Sequence, residues 1–210
     1  MSLAEKQITA IMRQVASQDV VEIDHPYAKG RTVAALAYIA EAYGFRYADA
    51  RLEGDAQRKS LHVYLVRDPD ERARQRAAAN AAAYPQAGAG GPVPGMRQGT
   101  LTPLPEAEAE VDLLMGLIRF DTAVSVADPK KFMAMSWMIA AVMVLLAVVT
   151  GKYAVALPLA VLLPVLLQVA LRINVRRRAK LAARLTAAGC TPIQDEMGRT
   201  RYVRPAHHAA

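Results

Sequence analysis

Apolar positions recur along this chain with three different rhythms. In "AEKQITAIMRQVAS" they fall at Ile8, Ile11, Met12 and Val15, the i, i+3, i+4, i+7 spacing of one helix face. "VVEID" then reads as a short strand, "DHPYAKGRT" as a loop, and "TVAALAYIAEAYG" as a second helix with Thr32 as its cap and Gly44 as its stop. After Gly44 the period drops to two. "FRYADARLE" and "SLHVYLVRD" flank "GDAQRK" and predict a hairpin with Leu61, Val63 and Leu65 on one face. "DPDERARQRAAANAAAY" has an acidic start and many alanines, which predicts a third, solvated helix. Residues 1–84 are thus expected to form a small cytoplasmic α+β domain with strands and helices intermixed.

Residues 85–105, "PQAGAGGPVPGMRQGTLTPLP", hold ten Gly or Pro and read as a flexible linker. Helical spacing resumes in "EAEAEVDLLMGLIRF" at Val111, Leu114, Met115 and Ile118, so 106–128 is expected to be an amphipathic juxtamembrane helix, lying on the inner membrane face or docked on the domain.

The third rhythm has no polar stripe at all. Residues 132–171 contain a single charge, Lys152. A bilayer core of about 30 Å takes roughly 20 apolar helical residues, so forty predict two spans, 132–150 and 153–171, turning at Thr150 to Tyr153. Trp137 and Tyr153 fall where an aromatic belt would lie, and Pro158 and Pro164 should bend the second span. The expected fold class is therefore a membrane protein: a two-helix transmembrane hairpin, the small cytoplasmic domain, and over 172–210 a basic helix followed by a β-hairpin in "CTPIQDEMGRTRYVRP". The polar, amphipathic first eighteen residues do not resemble a cleavable leader.

Charge sharpens this expectation. Residues 1–84 carry twelve basic and eleven acidic side chains, 85–128 two and six, and 129–210 twelve and two, so the net +7 is concentrated after residue 128. Lys130 and Lys131 precede the hairpin, and Arg172, Arg176, Arg177, Arg178, Lys180 and Arg184 follow it. The positive-inside bias then places both termini in the cytoplasm of a cell whose inner membrane holds the protein, with the basic groups on anionic lipid headgroups. A basic block so placed argues against nucleic acid as the partner. Ala140, Ala141 and Ala147 of the first span and Ala154, Ala156 and Ala160 of the second allow close helix packing, and Gln168 offers a hydrogen bond to a partner helix, including one from a second copy.

Candidate chemistry is sparse. His25, Lys29, Gly30, Arg31 and Thr32 form a strand-to-helix loop able to bind an anion through backbone N–H groups and cationic side chains, although the two glycines of a phosphate-binding P-loop are missing. Asp24 and His25 are adjacent, yet neighbours on an extended chain point to opposite sides. His62 sits in an alternating strand, where a cross-strand role is the commoner one. Cys190 is the single cysteine, so no internal disulfide can form, and no metal-ligand spacing surrounds it. No cofactor, metal or enzymatic activity is expected. The function this pattern favours is a scaffold, recruitment or regulatory platform for a membrane-bound assembly. Alternatives are a self-oligomerising pore-forming or holin-like effector, and an anion or nucleotide sensor using the 25–32 loop.

Overall fold

The computed structural model describes residues 2–25, 30–55, 58–125, 129–150, 153–195 and 198–204. In chain order its elements are α1 (Leu3–Ser17), β1 (Val20–His25), α2 (Gly30–Ala42), β2 (Phe45–Asp55), β3 (Arg58–Arg67), α3 (Glu71–Ala83), a 3-10 turn (Ala87–Ala89), α4 (Pro105–Ser125), α5 (Pro129–Thr150), α6 (Tyr153–Ala187), β4 (Thr191–Gln194) and β5 (Thr200–Val203). They fall into two units, one of residues 1–125 with 188–210 and the other of residues 126–187.

In the first unit β1, β3 and β2 form an antiparallel sheet with β3 central. The register pairs Val21 with Leu65, Ile23 with Val63 and His25 with Leu61. Alternation therefore sends Val21, Ile23, Leu61, Val63 and Leu65 to one face, where all five are buried. Helices α1, α2 and α4 cover that face: Ile8 and Ile11, the run Val33 to Ala37 with Ile39, and Val111, Leu114 and Ile118 share one core with the strands. Burying such aliphatic side chains stabilises the unit by about 1.5–3 kcal/mol each. Helix α1 begins in a capping box, with Ser2 Oγ accepting from the Glu5 N–H and Glu5 Oε2 accepting from the Ser2 N–H. Helix α3 starts on Asp70, and its Asn80 side chain donates to the carbonyl of Ala42 at the end of α2.

β2 changes phase part-way. Its register with β3 shifts between Tyr47 and Asp49, leaving Ala48 as the extra residue of a bulge. Before the bulge Phe45 and Tyr47 face the core; after it Ala50 and Leu52 do. Ala48 itself has no register partner on β3.

The segment expected to be a flexible linker packs instead. Ala87, Val93 and Met96 are buried in the core, and Met96 bridges Pro103. Ser2 Oγ donates to the Gly99 carbonyl at 3.2 Å. Gly95 has φ +69°, and a Cβ there would lie 2.7 Å from the Tyr38 ring and hydroxyl. The glycines permit turns and close approach rather than looseness. Helix α4 likewise docks its apolar face on the core, the second of the two placements weighed for it.

The second unit pairs α5 with α6. Ser136 and Ala140, one turn apart, are buried in α5, while Trp137, Met138, Leu145 and Val149 of α5 and Leu166 of α6 are exposed. Among the described residues no helix is long and apolar enough to cross a membrane. This overturns the transmembrane hairpin of 132–150 and 153–171, the membrane fold class, the multi-pass inner-membrane address and the topology built on them. The expectation rested on the apolar residues of 132–150 and 153–171, and over the described residues the helices that hold them fall short of the length and apolarity of a span. Helix α6 moreover continues without a break through Arg172, Arg176, Arg177, Arg178, Lys180 and Arg184. These residues, with Lys130 and Lys131, have no span to orient. What the described residues form is an α+β arrangement of six α-helices and two small antiparallel sheets.

Candidate functional site

Three places in the first unit gather polar side chains. The loop expected to bind an anion is one. His25 ends β1 in register with Leu61, and Gly30, Arg31 and Thr32 open α2, so Thr32 lies inside the helix rather than capping it; Lys29 lies outside the described residues. The packed segment before α4 brings Arg97 and Thr102 to the same place. Together with Arg31, Thr32, Pro105 and Glu108 they line a shallow cavity of about 480 Å³. The starts of α2 and α4 both face it, and a helix N-terminus favours negative charge. Glu108 already holds Arg31 at 2.6 Å, each side chain 54% exposed. Arg97 is the member that sequence reasoning missed, because a Gly/Pro-rich stretch gave no sign of a fixed position.

The second place is the open face of the sheet. His62 Nδ1 lies 2.7 Å from Glu22 Oε1, and His62 Nε2 lies 2.7 Å from Ser60 Oγ. Asp24 Oδ1 is 3.8 Å from Nε2. A serine, a histidine and a carboxylate in this order resemble a nucleophile relay. Acyl transfer also needs backbone donors aimed at a developing oxyanion. Ser60 and His62 stand on the central strand, whose N–H groups are taken by ladders on both sides, so this trio is read as a cross-strand hydrogen-bond network.

The third place is the most buried. Strands β4 and β5 form a two-stranded hairpin that returns the C-terminal segment to α4 and β2. The Tyr202 ring meets Phe120 edge-on at 4.9 Å. Arg201 donates to the Ala48 carbonyl at the bulge, and its Nη2 lies 3.2 Å from Asp49 Oδ1 and 3.5 Å from Asp121 Oδ2. Tyr47 Oη donates to Asp121 at 2.6 Å. Arg204 reaches Glu41 Oε2 at 3.0 Å, while Glu41 Oε1 accepts the Tyr47 N–H. Burial raises the Asp121 carboxyl above its ordinary value, opposed by the Tyr47 hydrogen bond and Arg201. Burial likewise raises Glu41 against the pull of Arg204, and burial with the Asp121 charge holds Tyr47 well above 10. Cys190 is buried and burial raises its thiol, which disfavours the thiolate.

A signal for this cluster did exist. Asp121 follows Leu114, Leu117 and Ile118 on the apolar face of α4, a place where a carboxylate needs a partner. Its partners, Tyr47 and Arg201, lie 74 residues before it and 80 after it and could not be paired with it from spacing.

The remaining expected sites divide simply. Ala140 is buried, Ala141 and Gln168 are exposed, and the side chains of Ala147, Ala154, Ala156 and Ala160 lie outside the described residues. Among the described residues no group of three His, Cys, Asp or Glu side chains could hold a metal ion. No family model matches the chain, and neither a curated protein nor a solved structure matches it.

Proposed function

We propose that this chain is an interaction platform, serving as a scaffold or recruitment element of a protein assembly. The observation that carries this reading is the contrast between its units. The α+β unit closes on itself around one buried core and a charged clasp, whereas the helical unit of residues 126–187 presents large apolar side chains to its surroundings. Contiguous exposed apolar surface marks an interaction site. Arg172, Arg176 and Arg177 are exposed on α6 and suit acidic protein surfaces. The pore-forming alternative required spanning helices and is dropped with them. The test is cross-linking of the tagged full chain in its native cells, followed by identification of what is retained. A stoichiometric partner, or a second copy of the chain, supports the platform; recovery of uncross-linked chain alone overturns it.

A second reading, an anion or nucleotide sensor, is favoured by Arg97 joining Arg31 and Thr32 around one cavity. It predicts that inorganic phosphate or a nucleotide raises the melting temperature and that Arg31→Ala with Arg97→Ala removes the shift. No shift with either class ends this reading.

A further inference from the structure

The platform reading leaves open what covers the helical unit, and the structure points to one occupant. Among the described residues, fourteen large apolar side chains of α5 and α6 are at least 40% exposed, including Trp137, Met138, Leu145, Val149, Leu166 and Val175. They lie on two helices, and among the described residues the buried positions of α5 are the small side chains Ser136 and Ala140, with large ones left outward. A helix that is apolar on all sides is stable in water only when something apolar surrounds it.

Three observations select the partner. First, these side chains, each about half exposed, leave on the order of 1,000 Å² of apolar surface open around each copy, so a contact covering most of it approaches the roughly 800 Å² per partner of a standard stable interface. Second, positions 132–150 and 153–171 contain no acidic or basic residue, so the covering surface must be uncharged over the same length. Third, α5 and α6 together supply a surface of that length and character, which makes the hairpin its own complement under a two-fold axis. We propose that two copies of this chain associate through their α5–α6 hairpins into a four-helix arrangement. This rests on the platform reading and names its first partner as a second copy.

The experiment is light scattering on the purified full chain in buffer, read together with the emission of Trp137, the single tryptophan. The expected mass is twice 22.7 kDa. Dilution should return the monomer mass and shift the Trp137 emission to longer wavelength as the indole meets water. Leu145→Asp with Leu166→Asp should give monomer at all concentrations, while Leu3→Asp, an equally exposed site on α1, should leave the dimer intact. Since the double variant could fold poorly, the dilution series on the unchanged chain decides by itself. A monomer at tens of micromolar, or emission independent of concentration, overturns the pairing. Flotation with phosphatidylglycerol/phosphatidylcholine vesicles at the expense of the dimer also overturns it, with lipid as the occupant. If the chain is monomeric yet cross-linking retains a different protein, only the pairing fails; if it is monomeric and nothing is retained, the platform fails too.

Discussion

Arg201 Nη2 stands 3.2 Å from Asp49 Oδ1, joining β5 to the bulged strand β2. The same group lies 3.5 Å from Asp121 on α4, so one guanidinium is shared by two carboxylates from different elements. Arg201→Ala leaves Asp121 without its cation in a mostly buried place, while Asp49 keeps Arg51 at 2.6 Å. Breaking a buried pair by removing one partner costs about 3–5 kcal/mol, and the partial exposure of Arg201 puts the expected loss at about 2–3 kcal/mol. Urea denaturation of the full chain measures it. Arg201→Lys should recover only part, since an ammonium cannot reproduce the fork. Equal stability of the alanine variant and the parent would show that the clasp does not hold the hairpin.

The pH dependence has a definite sign. Glu41 and Asp121 titrate above their ordinary values of 4.5 and 3.8 because burial penalises their charged forms. The folded state therefore binds their protons more tightly than the unfolded chain does. Their contribution is fully present below the ordinary values and is lost as pH rises through the raised ones. Stability measured by denaturant from pH 4 upward should carry this decline, and Glu41→Gln and Asp121→Asn should each flatten it. A parent curve whose slope neither variant changes would contradict the assignment.

Gly95→Ala should be costly although it adds one methyl group. The backbone has φ +69°, and the new Cβ would lie 2.7 Å from the Tyr38 ring and 2.9 Å from Ala107 Cβ. Positive φ for an alanine and the overlap together should cost about 2 kcal/mol or more. A melting temperature within a degree of the parent would refute the close packing of this turn.

Met96 tests whether residues 85–105 are packed. Met96 is 4% exposed within the core, so Met96→Ala should destabilise by about 2–4 kcal/mol. In a free linker the same change would do nothing measurable. Resistance of the Arg97–Gln98 bond to trypsin in the folded chain checks the point independently.

Much of the first unit is legible in the sequence. The i, i+4 spacing of Ile8 and Met12, the alternation of Leu61, Val63 and Leu65, and the stop at Gly44 are local facts, because the side-chain direction of a helix or strand is set by its own backbone. Other features are not local. The bulge at Ala48 moves the core phase from Phe45 and Tyr47 to Ala50 and Leu52, and it forms only because β3 lies alongside. Residues 85–105 have the composition of a linker, and only the pocket beside Tyr38 and Ala107 explains why glycine stands at 95.

The open strip of 132–171 shows the opposite failure. Its hydrophobicity is plain in the sequence, yet hydrophobicity names no destination; a count of apolar residues predicted a membrane, and the described helices do not supply a span. The charged clasp lay equally out of reach. Each of Glu41, Asp49, Asp121, Arg201 and Arg204 is an ordinary charged residue in its own segment. What makes them a site is that three-dimensional packing removes water from all five together. A pairwise electrostatic contact depends on distance and burial, and neither is written in the spacing of residues far apart along a chain. The sequence by itself determined the periodic faces, the charge division and the apolar strip; the tertiary structure alone decided which face met which, and so which charges had to be paired.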